Sequence, residues 1–146
     1  PFAVASTSGG VTVWDNDDGR NYAVWGQGAD LPVSAVALGQ DNVKVADASL
    51  TTAGDGGVLF AGHVILKNLA YQKDVAVVET TDDWKTVLRV EASYDYGVVG
   101  SDALERCSFS QPLPARVSQV RFAASYTVAG STYWDNNLGA NYTATR

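Results

Sequence analysis

The chain has 146 residues, of which 46% are hydrophobic and 18% are charged, a composition typical of one globular domain rather than a disordered segment. Its net charge is -6 and no run of Lys or Arg occurs, which excludes nucleic acid and anionic membrane surfaces as partners. No stretch resembles a transmembrane helix or a signal peptide, so we expect no membrane contact.

The hydrophobic pattern predicts short β-strands and gives little evidence for a helix. No window of about a dozen residues keeps apolar positions at the spacing of a helix face. β-Branched and aromatic residues instead gather in short segments separated by Gly, Asn, Asp and Ser. In chain order, the predicted strands include residues 11–14, 43–45, 58–60, 63–66, 75–78 and 117–128. This organisation predicts an all-β fold, an immunoglobulin-like antiparallel β-sandwich.

An internal repeat joins the two ends of the chain. Residues 2–24 align without gaps to residues 122–144, with 11 identities in 23 positions. Both copies read strand, Gly turn, strand and then Trp-Asp-Asn-x-x-Gly-x-Asn-Tyr, which predicts a β-hairpin that ends in an Asx-rich loop. We therefore predict a single domain, 1–146, in which a core module spans residues 41–146 and an extra N-terminal β-hairpin, residues 1–26, duplicates its last hairpin.

Two motifs downstream resemble those of a known family. Residues 67–75 read Lys-Asn-Leu-Ala-Tyr-Gln-Lys-Asp-Val, which resembles the Lys-Asn-x-Ala-Tyr-x-Lys-x-Val signature of family 21 carbohydrate-binding modules, the starch-binding type found on some fungal glucoamylases. Residues 133–137 and 141–142 are similar to the closing aromatic-Asp-Asn-Asn and Asn-Tyr motif of that family. Segments 83–84 and 92–94 match in order between them.

The resemblance implies an eight-stranded immunoglobulin-like sandwich that binds α-glucan at two separate surfaces without catalysis. At each surface, aromatic rings would stack on the sugar while amide or ammonium groups bind hydroxyls. The first surface would use Trp84, Trp134, Asn136 and Asn141. The second would use Tyr71, Tyr94, Asn68 and Lys73.

The residue types suit a sugar because a pyranose has an apolar face and a rim of hydroxyls. Flat Trp and Tyr rings stack on that face, and Asn or Lys groups bind the rim. Charges on both sides of Trp84, and the Asx residues after Trp134, favour exposed rings. Tyr71 is also expected to be exposed beside an inward Leu69. The alternative for each ring is a place in the core, where we expect Tyr126.

The N-terminal copy supplies a further set of candidates. Its Trp14, Asn16 and Asn21 repeat the first-surface residues and are additional carbohydrate-binding candidates. The copy could equally be a remnant of a tandem array or a cover for a sheet edge. The sequence also departs from the family, because Ala123 and Leu104 fall near positions where the two surfaces can carry a third aromatic.

The sequence lacks the sets of residues that catalysis or metal binding requires. His63 lies within a predicted strand, where a structural role is expected, and Cys107 is expected to be a buried thiol. No pair of carboxylates is predicted to face across a cleft, so we expect no enzyme activity. The acidic turn at residues 15–19 places its glycine one position early for a calcium loop, and the second copy replaces Asp18 with Leu138. No metal and no cofactor are predicted.

The predicted partner is therefore a polysaccharide or oligosaccharide, and homodimerisation stays open. An extracellular location is favoured, where Asn141-Tyr142-Thr143 would be a glycosylation sequon. One alternative is a free-standing lectin that cross-links galactose- or β-glucan-type glycans. Another is a glycogen-targeting regulatory module. Such a module needs a phosphatase docking motif, and residues 119–122 resemble that motif but lack its leading basic residue.

Overall fold

The computed structural model describes residues 3–15, 38, 40–54, 56–97 and 103–146, with only the backbone described at positions 4 and 15. These residues form antiparallel β-strands and no helix long and apolar enough to span a membrane. The first six strands are β1 Val4–Ser8, β2 Val11–Asp15, β3 Val43–Thr52, β4 Val58–Lys67, β5 Lys73–Thr80 and β6 Leu88–Glu91. The remainder are β7 Ser93–Gly97, β8 Leu104–Leu113, β9 Gln119–Val128, β10 Ser131–Asp135 and β11 Tyr142–Thr145.

Strands β3 to β11 form a sandwich of two sheets. The four-stranded sheet has the order β3-β4-β8-β7, and the five-stranded sheet has the order β10-β9-β5-β6, with β11 also paired to β9. The predicted antiparallel β-sandwich with an extra N-terminal β-hairpin is confirmed, because β1 and β2 pair with each other in a sheet of their own. The described sandwich has nine strands rather than eight.

Aromatic rings from both sheets fill the core. Phe60 of the four-stranded sheet lies 5.1 Å, centroid to centroid, from Phe109 beside it and 5.1 Å from Phe122 of the five-stranded sheet. Tyr126 is also buried, as predicted, and its hydroxyl donates to the Lys67 carbonyl oxygen at 2.9 Å. Cys107 is a buried free thiol, as expected, and burial raises its pKa to about 11.

Strand β4 corrects one prediction, because residues 58–60 and 63–66 are parts of a single strand. The two segments were predicted separately, but Gly62 between them continues the strand and allows a close approach of the neighbouring backbone. A Cβ at Gly62 would lie 2.3 Å from the Asp47 carbonyl oxygen and 2.8 Å from the Ala48 Cα. Strand β3 bulges between Val45 and Asp47, which brings its backbone onto this glycine.

Strands β6, β7 and β8 were not predicted, because their sequences are short or rich in polar residues. Every residue of β7 is exposed, so no apolar alternation marks it. Strand β8 buries Cys107 and Phe109 on one face while Arg106 and Ser108 alternate with them. It also contains Pro112, which a strand tolerates where no neighbour requires its N–H, and β7 pairs only with the other half of β8.

Candidate functional site

The final edge of the five-stranded sheet is an interrupted strand. Strand β10 pairs with residues 124–128 of β9, and β11 pairs with residues 119–122 along the same strand. Residues 136–141 between them leave the sheet as a loop. Four of these residues adopt left-handed backbone conformations, namely Asn137 (φ 52°), Leu138 (φ 56°), Gly139 (φ 90°) and Asn141 (φ 60°). Asn and Gly adopt this region most readily, so the Asn-Asn-x-Gly-x-Asn sequence suits the loop.

The loop uses some of the predicted site residues for its own structure. The Asn136 carbonyl oxygen accepts from the Asn141 N–H at 2.7 Å, and the Asn136 Oδ1 accepts from the Gly139 N–H at 2.9 Å. The Asn137 side chain donates to the Asn141 carbonyl oxygen at 3.3 Å. No hydrogen bond in the described part of the chain engages the Asn141 side-chain amide. Of the two predicted amides, that of Asn141 is therefore the freer to bind a ligand.

Asp135 anchors the loop from inside the sandwich. This buried carboxylate accepts from the Val45 N–H at 2.7 Å and from the Tyr142 hydroxyl at 2.8 Å. Burial and this carboxylate raise the pKa of Tyr142 above its usual range. The Trp-Asp-Asn motif is thus divided, because its Asp points inward and ties β3 to β11 while its Trp points outward.

Trp134 stands on the outer face of the sheet. Its partner across the hairpin is Ser125, and its side chain is 56% exposed. On the same face, the hydroxyl oxygens of Thr127 and Thr132 lie 2.9 Å apart. An indole held by a sheet and open to solvent is the geometry that a stacking site requires.

Trp84 lies in a turn after β5. The charged residues on both sides of it predicted an exposed ring, but the side chain is less exposed than that. Asp83 and Trp84 are both left-handed, with φ of 60° and 67°. The backbone N–H of Trp84 donates to the Thr80 hydroxyl at 3.0 Å. The Asp82 carboxylate accepts from the backbone N–H and the hydroxyl of Thr86 at 2.9 and 2.7 Å. These Thr86 bonds lower the pKa of Asp82. The Trp84 side chain is half-buried, and its Nε1 is buried with no hydrogen-bond partner.

A shallow polar pocket of about 360 Å³ lies beside this turn. Its lining residues are Thr80, Thr81, Asp83, Gln119, Arg121 and Thr143. Arg121 forms an ion pair with Asp83 at 2.5 Å. Along β9, Arg121 is four residues from Ser125, the cross-strand partner of Trp134, which corresponds to about 13 Å. The pocket and the Trp134 ring thus lie on one face of one sheet, and Ala123 lies between them on β9.

The residues predicted for the second surface lie in the loop between β4 and β5 and on strands β5 and β7. Tyr71 is 97% exposed in the loop between β4 and β5, and Tyr94 on β7 is 64% exposed. The Lys73 ammonium is held by Asn68 Oδ1 at 2.7 Å and by the Glu105 carboxylate at 2.5 Å. Both predicted polar contacts are therefore already engaged with protein groups.

Three further observations bear on the sequence predictions. Leu69, expected to face inward, is exposed, and this part of the prediction is wrong because the chain there is a loop and not a strand. Leu104 is buried, so it forms no part of a surface platform. The candidates Asn16 and Asn21, and the rest of the acidic turn after Asp15, lie outside the described residues.

The single histidine has a structural environment, as expected. His63 Nδ1 lies 2.8 Å from the Asp47 carboxylate, and its Nε2 lies 3.0 Å from the Arg106 guanidinium. Arginine can only donate, so Nε2 accepts and Nδ1 carries the proton. Arg106 also contacts Asp95 at 3.0 Å and stacks over the Tyr96 ring, which completes a row across the four-stranded sheet. In the described residues no group of three His, Cys, Asp or Glu side chains could hold a metal ion.

An antiparallel sandwich that exposes indole and phenol rings on its surface has the geometry of a binding module. Residues 37–145 match the family described as carbohydrate/starch-binding module (family 21), and the chain belongs to that family. The resemblance carried by the two motifs is confirmed.

Two solved structures share this fold. The starch binding domain of Rhizopus oryzae glucoamylase, in complex with beta-cyclodextrin and maltoheptaose, has a TM-score of 0.57 and 29% identity, covering 81% of this chain and 100% of that domain. The carbohydrate binding module of the muscle glycogen-targeting subunit of Protein Phosphatase-1 has a TM-score of 0.56 and 26% identity, covering 80% of this chain and 86% of that module.

Similar curated proteins include animal regulatory subunits. Protein phosphatase 1 regulatory subunit 3C-B of Danio rerio is 39% identical over 84 residues, which is 56% of this chain and 26% of that protein. Protein phosphatase 1 regulatory subunit 3B of Homo sapiens is 34% identical over 85 residues, 56% of this chain and 30% of that protein. The chain thus matches less than a third of the length of either relative.

Proposed function

We propose that this chain is a non-catalytic module that binds α-glucan through Trp134 and the loop that follows it. The observation that carries the proposal is the position of Trp134, whose ring is exposed on a sheet face in the strand that leads into the loop of residues 136–141. The polar pocket beside the turn of Trp84 lies on the same face. A glucan chain would lie along this face, with one sugar stacked on the Trp134 indole.

The ligand class follows from the family and its relatives. The family is described as carbohydrate- or starch-binding, and a structural relative was solved with two α-glucan ligands. These observations support α-glucan over the galactose- or β-glucan-type glycans of a free-standing lectin. Tyr71 and Tyr94 would form a second, weaker surface, because their polar neighbours Asn68 and Lys73 are engaged with each other.

A glycogen-targeting role is the second candidate, favoured by the similarity to phosphatase regulatory subunits. Glycogen is an α-glucan, so this role uses the same binding face. Residues 119–122 do not supply the phosphatase contact, because they lie in β9 with Val120 and Phe122 buried in the core. A phosphatase contact would require other residues.

The test is Trp134→Ala, measured by calorimetric titration with maltoheptaose and beta-cyclodextrin. We expect affinity to fall about tenfold or more, equivalent to about 1.4 kcal/mol, because the stacking surface is removed. The melting temperature should stay unchanged, since the ring lies outside the core. Tyr96→Ala is the matched control, because it removes an exposed ring from the other sheet.

Laminarin and galactose-containing oligosaccharides serve as competing ligands in the same titration. Wild-type binding to either of these, without binding to maltoheptaose, would contradict the α-glucan assignment. Unchanged maltoheptaose affinity in Trp134→Ala would contradict the proposed site.

A further inference from the structure

We propose that the N-terminal hairpin carries a glycan-binding platform of its own, centred on Trp14 and separate from the family's module. The proposal rests on the function proposed above for Trp134, because Trp14 occupies the equivalent position of a repeated hairpin. It concerns residues that precede the family match, which begins at residue 37.

The two hairpins have the same backbone. In each turn both central residues are left-handed, with φ of 57° and 79° at Gly9 and Gly10, and 49° and 79° at Ala129 and Gly130. The strand registers are also equivalent, since Trp14 faces Ala5 as Trp134 faces Ser125. The repeat seen in the sequence is therefore a repeat of structure.

The hairpin face that bears the indole is nearly the same in both copies. Residues paired across strands lie on one face, and a side-chain spacing of two keeps that face along each strand. In the first copy this face contains Ala5, Thr7, Thr12 and Trp14, and in the second it contains Ser125, Thr127, Thr132 and Trp134, so three of the four positions are identical. Even the contact between threonine hydroxyls recurs at 2.9 Å.

The opposite face is less similar, because Asp15 with Asp135 is the one identity among its six paired positions. Ser6, Ser8, Val11 and Val13 of the first copy correspond to Tyr126, Val128, Ser131 and Tyr133 of the second. In β9 this face packs into the sandwich, where Tyr126 and Val128 are buried. Serines at those two positions would leave the core underfilled, so the first hairpin cannot simply take the place of the second.

This difference between the faces argues against the two structural explanations of the repeat. A remnant without function would be expected to diverge alike on both faces, whereas three of four positions are kept on the face of Trp14 and one of six on the other. A cover for a sheet edge would pair with the sandwich, but among the described residues β1 and β2 pair only with each other. The retained face is the one that presents a flat ring to solvent, and Trp14 is 66% exposed.

The expected contribution of the hairpin is larger for a polymer than for a short sugar. A two-stranded hairpin is only marginally stable in water, so binding at Trp14 alone includes a cost of ordering. Once Trp134 holds a polysaccharide, the second contact is intramolecular and benefits from a high effective concentration.

The first experiment compares Trp14→Ala with Val13→Ala in affinity electrophoresis through soluble amylopectin. Val13 is the matched control because it is adjacent, 65% exposed and on the opposite face of the same strand. We expect Trp14→Ala to weaken binding about threefold or more, with Val13→Ala unchanged and Trp14→Tyr close to wild type. Wild-type binding by Trp14→Ala, beside weakened binding by Trp134→Ala, would overturn the Trp14 platform and leave the proposed function standing.

The second experiment detects contact directly. In the Trp134→Ala chain, maltoheptaose is added while the indole N–H signals are followed by nuclear magnetic resonance, with the Trp14 signal assigned from its loss in Trp14→Tyr. A concentration-dependent shift of the Trp14 signal is expected. An unmoved Trp14 signal at saturating maltoheptaose would overturn the platform even if Trp14→Ala weakens polymer binding through hairpin unfolding.

Discussion

At the scale of single residues, Glu79 stands out because it is buried without a partner. It lies on the inward face of β5, fully buried, and neither carboxylate oxygen has a hydrogen-bond partner. Its cross-strand neighbours, Leu88 and Phe122, are apolar. Burial raises the pKa of Glu79, since a charged carboxylate loses hydration there.

Because the pKa of Glu79 is raised in the folded chain, we expect the chain to become less stable as pH rises. A carboxyl with a higher pKa in the folded than in the unfolded state binds its proton more tightly when folded. Stability is therefore fully present below the ordinary glutamate value of 4.5 and decreases as pH rises toward the raised value. Glu79→Met should remove this loss and stabilise the chain by about 1–3 kcal/mol above neutral pH. Urea unfolding at about pH 5 and about pH 8 measures the difference.

Glu79→Gln is the control that separates charge from polarity. It keeps the side-chain shape but cannot ionise, so it should lose the pH dependence without the full gain shown by methionine. If the wild-type chain and Glu79→Gln vary alike with pH, the raised pKa of Glu79 does not govern stability.

At the scale of elements, Gly62 allows β3 and β4 to pair across a bulge. A methyl group there would clash with the backbone of Asp47 and Ala48, which cannot move aside as a flexible side chain can. We expect Gly62→Ala to lower the free energy of unfolding by about 3 kcal/mol. Gly54→Ala is the control, because no atom lies within 4 Å of a Cβ at that position.

Chemical denaturation of both glycine variants tests this prediction. Gly54→Ala should remain within about 0.5 kcal/mol of the wild type. Equal stability of the two variants would show that the strands tolerate a side chain at Gly62, and that the bulge does not depend on it.

The interrupted edge strand fixes both ends of the loop that we propose as part of the binding site. Strands β10 and β11 lie along the same edge of β9, so both ends of the loop at residues 136–141 are fixed by sheet hydrogen bonds. Asp135 adds a third attachment, to β3 and Tyr142. A loop held in this way loses little conformational entropy when a ligand binds.

At the scale of the whole molecule, the N-terminal hairpin is structurally separate from the sandwich in the described residues. Deleting residues 1–26 should leave a cooperatively folding module with nearly the wild-type melting temperature, because the hydrophobic core draws on β3 and later strands. Its affinity for maltoheptaose should also be retained. Thermal unfolding followed by circular dichroism measures the first outcome, and loss of a cooperative transition would show that the hairpin belongs to the core.

Two surfaces at different parts of the sandwich would suit a long polymer. Trp134 lies on the outer face of the five-stranded sheet, whereas Tyr94 lies on β7 at the edge of the four-stranded sheet. A single short sugar would contact one surface at a time, but a polysaccharide could engage both and bind more tightly through effective concentration.

Local sequence patterns were sufficient for the all-β class, the repeated hairpins and the identity of the main exposed rings. Tyr126 was expected in the core and is buried, and the Gly turns with the Trp-Asp-Asn motif marked the hairpins. The burial of Cys107 also followed from its sequence context. These features depend on side-chain periodicity and turn geometry, which neighbouring residues determine.

Only the tertiary structure decided which polar groups remain free for a ligand. Lys73 and Asn68 bond to each other, and Asp135 turns inward to a strand about ninety residues earlier in the chain, a pairing that local propensity cannot indicate. Similarly, Gly62 continues a strand because a distant backbone approaches it. Sequence periodicity reports which face a side chain occupies, whereas its hydrogen-bond partner depends on which strands the fold brings alongside.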